Sequence, residues 1–521
     1  MDRKRWMMMV GVVLLAVLLL WGSVSARAYS TEGKTIRIGL GAYDGIREFR
    51  LGNTRLVAGA KEGGVLREVL DVESPSGFRI SAPVQEDRVL SQVSYPNLAA
   101  LEAECAALEE LGLVPQVFLE SAGTFRIRLE TLPGEEAADY GFEPFPELAE
   151  GILLEREGGR PLVFGGAVLE PVFWTLDGEG GVPLLQLGNR KYRGTLEVLR
   201  SGANLTVVNV LDLEEYLYSV LPSEMPASWP LEALKAQAVA ARNYAVYYTE
   251  VARKYPTRPF DLDDSTTSQV YLGYGNEHPN ARRAVDETMN KLLYYENAVI
   301  IANYFSSSGG HTEHSENVWS ASVPYLRGVP DLYDLYTLRN PWTVTLTYGQ
   351  IREALAKRDV DVGAVLDVQV DGVSDAGRAM QLKVIGEKDS HILSKETMRI
   401  WLGLDSRKFT IVKPEDEPRS HYAVVRGNGE TQIVAQADIH IQRASGSPVP
   451  LDGDRGQLVV VGATNIRNYP LMEGGAETVT FAGLGYGHGV GLSQSGARGM
   501  ALEGHPYDEI LAYYFTGTQV R

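Results

Sequence analysis

The 521-residue chain predicts an α+β fold with more than one compact part, and three observations carry that reading. Short alternating strands punctuated by glycine fill residues 36 to 82. Helix-period runs occupy residues 97 to 111 and 213 to 254, and a second β-rich region spans Leu366 to Val384 before a glycine-rich loop enters a helix at 494 to 503. A chain of this length exceeds one ordinary core and can build two or three. Hydrophobic residues make up 44% and charged residues 22%, values of folded protein with no disordered or repetitive tract.

From the N-terminus, Arg3, Lys4 and Arg5 precede an uncharged stretch from Trp6 to Ala26, with small residues around Ala26 and Ala28. Residues 1–28 therefore read as a signal peptide or a retained membrane anchor, with the positive end inside and the remainder exported. The pattern Thr35-Ile36-Arg37-Ile38-Gly39-Leu40 alternates as a half-buried strand and opens a β-rich segment, 36–83. Residues 84–130 change to strand, an Ala/Leu/Glu-rich helix from Asn97 to Leu111, and two strand-like runs through Phe118 and Phe125, a compact αβ insert. Leu98, Leu101, Cys105, Leu108 and Leu111 follow helical spacing, so Cys105 reads as a buried structural thiol. As the lone cysteine, it forms no intrachain disulfide and builds no cysteine-rich metal site. The acidic, proline-containing stretch 131–159 reads as a linker, and the main domain runs over 160–521.

Strand signals resume at Arg160 and end in Leu205-Thr206-Val207-Val208-Asn209-Val210. Asp212, with Glu215 three residues on, marks a capped start for a helix from Leu213 to Leu221. Pro222 and Pro226 are expected to interrupt it, and Pro230 suits the first turn of the next helix, 231 to about 254. Glu224 then lies in a rigid turn between two prolines, with Met225 and Trp229 as apolar surface to raise its pKa. A rigid, partly desolvated carboxyl suits a general acid. On local sequence alone, a turn carboxylate that caps the next helix is the simpler reading.

Net charge and motifs exclude several functions. The formal net charge of -18 repels a nucleic-acid backbone, and no basic stripe follows the first five residues. No His-Glu-x-x-His string accompanies His311, His314 and His488, and the glycines of 483–491 match neither a dinucleotide loop nor a P-loop. Neither a metal nor a nucleotide cofactor is expected. The Tyr304-Phe305-Ser306-Ser307-Ser308-Gly309-Gly310-His311 block lacks the Gly-x-Ser-x-Gly elbow of a serine hydrolase. It offers Ser306, Ser307, Ser308 and His311 as polar contacts for a sugar, or else forms a polar turn. Tyr304, Trp319 and Tyr486 are candidates to stack on pyranose faces or to fill a core. The alternating glycines beside Tyr486, His488 and Gln494 suit the wall of a groove or a packed turn entering a helix. Ser223 is a candidate to orient Glu224, or a turn hydroxyl.

The string from Leu213 through Pro222-Ser223-Glu224-Met225-Pro226 and Trp229-Pro230 to Arg242 resembles the signature of the SpoIID/LytB family. Two further blocks agree in order: Ser306 to Thr312 with Trp319, and Gly485 to Ala497. The resemblance spans roughly Ile36 to Arg521 apart from the insert, which itself resembles a SPOR-type module, a family that binds glycan strands lacking stem peptides. For this sequence the resemblance implies a sporulation lytic transglycosylase that cuts peptide-free peptidoglycan strands with Glu224 as its catalytic residue. It also implies a role in engulfment and a partner amidase that strips the peptides. Relatives named for LytB imply the alternative, a non-catalytic enhancer of a cell-wall amidase. Relatives also hold zinc through Cys and His near a Cys-Gln-Val-Tyr segment. Here Asp263, Thr267 and Ser268 precede Gln269-Val270-Tyr271, so the zinc site is not expected to carry over.

One carboxyl suffices if the reaction is a transglycosylation. A glycosidase that uses water pairs its acid with a second carboxylate. In N-acetylmuramic acid the C6 hydroxyl is tethered to the reacting sugar and attacks with the effective concentration of an intramolecular group.

Overall fold

The computed structural model describes residues 31–82, 89–121, 123–129, 137–144, 151–165, 169–334, 341–412 and 478–521, together with the backbone of three short hairpins between 421 and 469. The N-terminal segment 1–28 lies outside the described residues. Among those residues, no helix is long and apolar enough to cross a membrane.

The chain forms two compact units. The first runs through Asn303 and regains the chain at Ala501–Ala512 and Gly517–Arg521; the second comprises Tyr304–Met500 and Tyr513–Thr516. Their secondary structure is mixed α and β, as the sequence predicts.

The first unit is built on a seven-stranded sheet. Its order is Leu262–Asp263, Thr35–Ile46, Asn204–Asp212, Thr195–Ser201, Glu170–Trp174, Arg55–Glu62 and Val65–Glu73. The predicted alternation at its first strand holds: Ile36, Ile38 and Leu40 are fully buried, while Thr35 faces out, the period-2 pattern of a strand with one face on the core. In the next strand Asn209 is buried and fully satisfied, donating to the carbonyls of Arg193 and Thr195 at 2.9 and 3.0 Å and accepting from the Tyr271 hydroxyl at 2.8 Å. Buried amides are retained at low cost only when paired in this way.

A second, ten-stranded sheet includes the strands of the 84–130 segment. Gln116–Ser121 and Thr124–Leu129 pair antiparallel, and Leu162–Phe164 runs parallel to the former. Helix α1, Leu98–Glu110, starts at Asn97, whose side chain accepts from the Ala100 N–H at 2.9 Å, and it buries Leu101, Cys105 and Leu108. The segment expected to be a linker, 131–159, contains two paired strands, Phe142–Pro144 and Ile152–Arg156. Ile152, Leu153 and Leu154 are buried there, so apolar burial overrides the acidic composition around them.

Asp212 caps helix α2, Leu213–Glu224, accepting from the N–H groups of Glu214 and Glu215 at 2.8 and 3.3 Å. The expected break at Pro222 does not occur. Pro222 sits inside the last turns, and Glu224 is the final helical residue rather than part of a free turn. The end is held by side chains: the Ser219 carbonyl accepts from Ser223 Oγ at 2.9 Å and Asn276 Nδ2 at 3.0 Å. Pro222 withholds the N–H that would reach the Tyr218 carbonyl, and these donors secure the next carbonyl along the last turn. Helix α3, Leu231–Val246, ends earlier than expected and continues as one wider π-type turn, Tyr247–Val251. The strand Leu293–Tyr295 pairs antiparallel with the final strand, Thr518–Val520, and its Leu293 is held by Asn243 of α3, whose amide donates to the Leu293 carbonyl at 2.8 Å and accepts its N–H at 2.7 Å.

The second unit has a core of Trp342, Ile351, Leu355, Val368, Leu382, Val384, Phe409 and Phe481 among others. It surrounds the three-stranded sheet Val365–Val373, Ala379–Gly386 and Ser390–Ser394, where the sequence predicts β structure. Tyr304–Phe305 pairs in parallel with Leu492–Ser493, which feeds the helix Gln494–Leu502.

Candidate active site

Glu224 is reached through a chain of local determinants. The strand Asn204–Asp212 delivers the chain to α2, and a buried ion pair clasps α2 to α3. Arg242 is fully buried, with Nε at 2.9 Å from Glu214 Oε1 and Nη2 at 2.7 Å from Oε2. The Tyr216 hydroxyl donates to Gln269 Oε1 at 3.2 Å, and Gln269 Nε2 donates to the Ala241 carbonyl at 3.2 Å, so Gln269 is tied to both helices. The next residue, Val270, donates its backbone N–H to Glu224 Oε1 at 3.2 Å. Glu224 is half-buried, Met225 is fully buried and Trp229 is half-buried.

The surroundings of Glu224 are phenolic as well as apolar. Burial raises the pKa of Tyr216 and Tyr244, and the negative charges of Glu224 and Asp263 push both further in the same direction. Asp263 lies on the edge strand Leu262–Asp263 of the seven-stranded sheet. It accepts from the N–H and hydroxyl of Ser265, from Ser268 Oγ at 2.9 Å and from the Tyr255 hydroxyl. Burial pushes this carboxyl up, but the hydrogen bonds from Ser265, Tyr255 and Ser268 outweigh it and hold its pKa below the ordinary value. Lys254 donates to the Tyr244 hydroxyl at 2.9 Å, to Ser268 Oγ at 3.1 Å and to the Thr267 carbonyl. Burial pushes its pKa down, against the pull of Asp263.

Ser223 does not contact Glu224 through any of its hydroxyl bonds: its Oγ donates to the Ser219 carbonyl and accepts from Asn276 Nδ2 at 2.8 Å. It secures the proline-containing helix end.

The remaining candidates sit in the second unit. Ser307 and Ser308 are fully buried, and both hydroxyls donate to Asp334 Oδ2, at 2.7 and 3.1 Å. They hold their own loop in shape, and the Ser307 backbone pairs with that of Tyr486. Ser306 is half-buried and its carbonyl accepts from the Ser495 N–H at 2.9 Å. The His311 ring meets the Thr312 carbonyl at 2.7 Å through Nδ1. His488 accepts from the Val490 N–H at 3.1 Å through Nδ1 and packs between the rings of Phe305 and Trp319, at 5.4 and 5.3 Å. Burial, above all, pushes its pKa down to about 4, so the ring is neutral at neutral pH. Gln494 is buried at the start of its helix, and Tyr486 is half-buried.

Lys254, Tyr244 and Tyr255 escaped sequence reasoning, and Asp263 and Ser268 entered it only as departures from a zinc segment. The available signal was the polar run Asp263-Asp264-Ser265-Thr266-Thr267-Ser268 directly before the Gln269-Val270-Tyr271 string. That segment does not suit a metal: Ser268 Oγ already accepts from an ammonium, and a second cation beside Lys254 would be repelled. Among the described residues, no three His, Cys, Asp or Glu side chains converge as a metal site.

Comparison with known proteins adds to this geometry. Residues 201–295, which hold α2, α3 and the Asp263–Val270 loop, match the family model SpoIID, described as stage II sporulation protein. The chain is 31% identical over 353 residues to an uncharacterised protein of Brachyspira hyodysenteriae, covering 67% of this chain and 76% of that one. It is 30% identical to stage II sporulation protein D of Bacillus subtilis, over 61% of this chain and 76% of the relative. It is also 33% identical to the amidase enhancer of Bacillus subtilis, over 58% of this chain but 40% of the relative's length.

Proposed function

The chain belongs to the SpoIID family, and from that premise we propose that it is an exported lytic transglycosylase that cuts peptidoglycan glycan strands with Glu224 as acid and then base. The observation that carries this reading is the unequal standing of the two carboxyls around Tyr216 and Tyr244. Asp263 is turned into its own loop by hydrogen bonds on both oxygens, and its depressed pKa makes it a weak base for activating water. Glu224, fixed at the end of α2 by the Val270 N–H, is left as the working carboxyl.

In the step proposed, Glu224 gives its proton to the glycosidic oxygen as the bond from C1 of the N-acetylmuramic acid breaks. The C6 hydroxyl of the same sugar forms the new bond to C1 and passes its proton to the Glu224 carboxylate. The 1,6-anhydro ring closes, Glu224 returns to its protonated state, and no water is consumed. Strands lacking stem peptides are the proposed substrate, with cell-wall remodelling in sporulation as the setting and a peptide-stripping amidase as the enzyme upstream.

Similarity to an amidase enhancer favours a second reading, a glycan-binding module that stimulates an amidase without cutting. Mass analysis of products from the full chain and Glu224→Gln, incubated with peptide-free strands and with intact peptidoglycan, decides between them. Fragments ending in 1,6-anhydro-muramic acid from the parent but not from the variant support the transglycosylase. Reducing ends would indicate hydrolysis, and strand binding without products would place the chain with the enhancers.

A further inference from the structure

Between the end of α3 and the loop that meets Glu224 lies an ammonium with no exposed task of its own. The Lys254 Nζ sits 5.5, 5.6 and 5.6 Å from the ring centres of Tyr244, Tyr248 and Tyr255, a cation held by aromatic faces. Its three protons match three acceptors: the Tyr244 hydroxyl on α3, and the Thr267 carbonyl and Ser268 Oγ on the loop. Ser268 passes the connection on, donating to Asp263 Oδ2 while accepting from the Asp263 N–H at 3.2 Å. Two residues past Ser268 is Val270, whose N–H meets the Glu224 carboxylate.

We propose that Lys254 is a positioning residue for Glu224, an internal cation that pins the Asp263–Val270 loop to α3 and balances the Asp263 charge beside the reacting carboxyl. The proposal rests on the reading of Glu224 as the reacting group. It gives the segment where the family resemblance implies zinc a side-chain cation in place of a metal. The arrangement has two consequences for Glu224. Without the ammonium, Thr267 loses its lysine donor and Ser268 keeps only its bonds within the loop, so the segment leading to Val270 is held to α3 through Gln269 and the Val270 N–H is less firmly directed. Asp263 also keeps its charge with no counter-ion. The groups around Glu224 are then the neutral phenols of Tyr216 on its own helix and Tyr244 on α3, and Asp263 on the edge strand, whose unbalanced charge acts on the same two rings as that of Glu224 and disfavours a second negative charge. The Glu224 carboxyl should hold its proton to higher pH.

The test follows the Glu224 carboxyl directly by carbon NMR of the glutamate-labelled full chain, with Glu224→Gln assigning the signal. Titrations of the parent, Lys254→Met, Lys254→Arg and Ser268→Ala are compared. The expected result is a midpoint moved upward in Lys254→Met, moved less in the same direction in Ser268→Ala, and nearly restored in Lys254→Arg. In turnover with peptide-free strands, Lys254→Met should lower kcat by about 10- to 100-fold with little change in KM, and move the alkaline limb of the pH profile upward. Superimposable titrations of the parent, Lys254→Met and Ser268→Ala would overturn the proposal, and Ser268→Ala supplies that answer if Lys254→Met fails to fold. A shifted carboxyl in a chain whose parent form releases no anhydro products would leave the positioning role standing and refute the transglycosylase reading instead.

Discussion

Replacing Arg242 with methionine removes the guanidinium that joins α2 to α3. Arg242 is fully buried and Glu214 is 5% exposed, so water cannot take over. Glu214 keeps the Thr31 hydroxyl at 2.8 Å but loses three guanidinium contacts of 2.7 to 3.1 Å, and the carbonyls of Lys291 and Val285 each lose the guanidinium as a donor, at 3.2 and 3.3 Å. Breaking a buried pair from one side costs about 3–5 kcal/mol, because the remaining charge is stranded. Amide exchange in α3 reads this free energy without requiring the whole chain to unfold as one transition. At about 1.4 kcal/mol per decade, the slowest α3 amides should exchange about 100 to several thousand times faster in the variant. The double variant Glu214→Gln with Arg242→Met, which leaves no stranded charge, should recover much of the loss. An acceleration under tenfold for the single variant, or a double variant no slower than the single, would refute the argument that a stranded carboxylate dominates.

His488, half-buried and neutral with a pKa of about 4 against an ordinary 6.5, makes the second unit lose stability as pH falls. Between those values the unfolded chain binds the proton more readily, so stability declines from pH 6.5 towards 4, by on the order of 2 to 3 kcal/mol. Melting of the second unit across that window should show the decline in the parent and a flatter profile in His488→Asn, whose side-chain oxygen can still accept the Val490 N–H. Cys105, fully buried and with its thiol pushed up to about 11 by burial, should resist a thiol reagent at pH 8 in the folded chain and react promptly in denaturant. Labelling followed by mass measurement checks this.

What was legible in the sequence is what local chemistry decides. The Asp212 cap, the alternation of Ile36, Ile38 and Leu40, and the helix burying Leu101, Cys105 and Leu108 each depend on residues within a few positions of one another. Glu224 was visible through its proline-flanked string, but its partner Val270 lies 46 residues away and donates through the backbone, which leaves no side-chain signature. Pro222 misled because its penalty is real locally, whereas the donors that hold the last turn come partly from Asn276, outside the helix. Ser307 and Ser308 read equally well as contacts for a sugar or as a turn. Asp334, 27 and 26 residues on, draws both hydroxyls inward, and serine's own chemistry gives no hint of that direction. The Lys254 cage was invisible for a related reason: its tyrosines lie on α3, on the turn after it and beside the lysine, and only the end of the helix brings them together.

The pairing of Leu293–Tyr295 with Thr518–Val520 has a consequence in time. The ribosome makes the whole second unit before it makes the strand that completes the sheet beside α3. Until Val520 has emerged, Leu293 is held by Asn243 on one side and open on the other. The first unit therefore gains this strand only after the second unit has been made. A chain cut short before Thr518 carries Glu224 without the strand that pairs beside α3, so a truncation there leaves the framework around that helix unfinished.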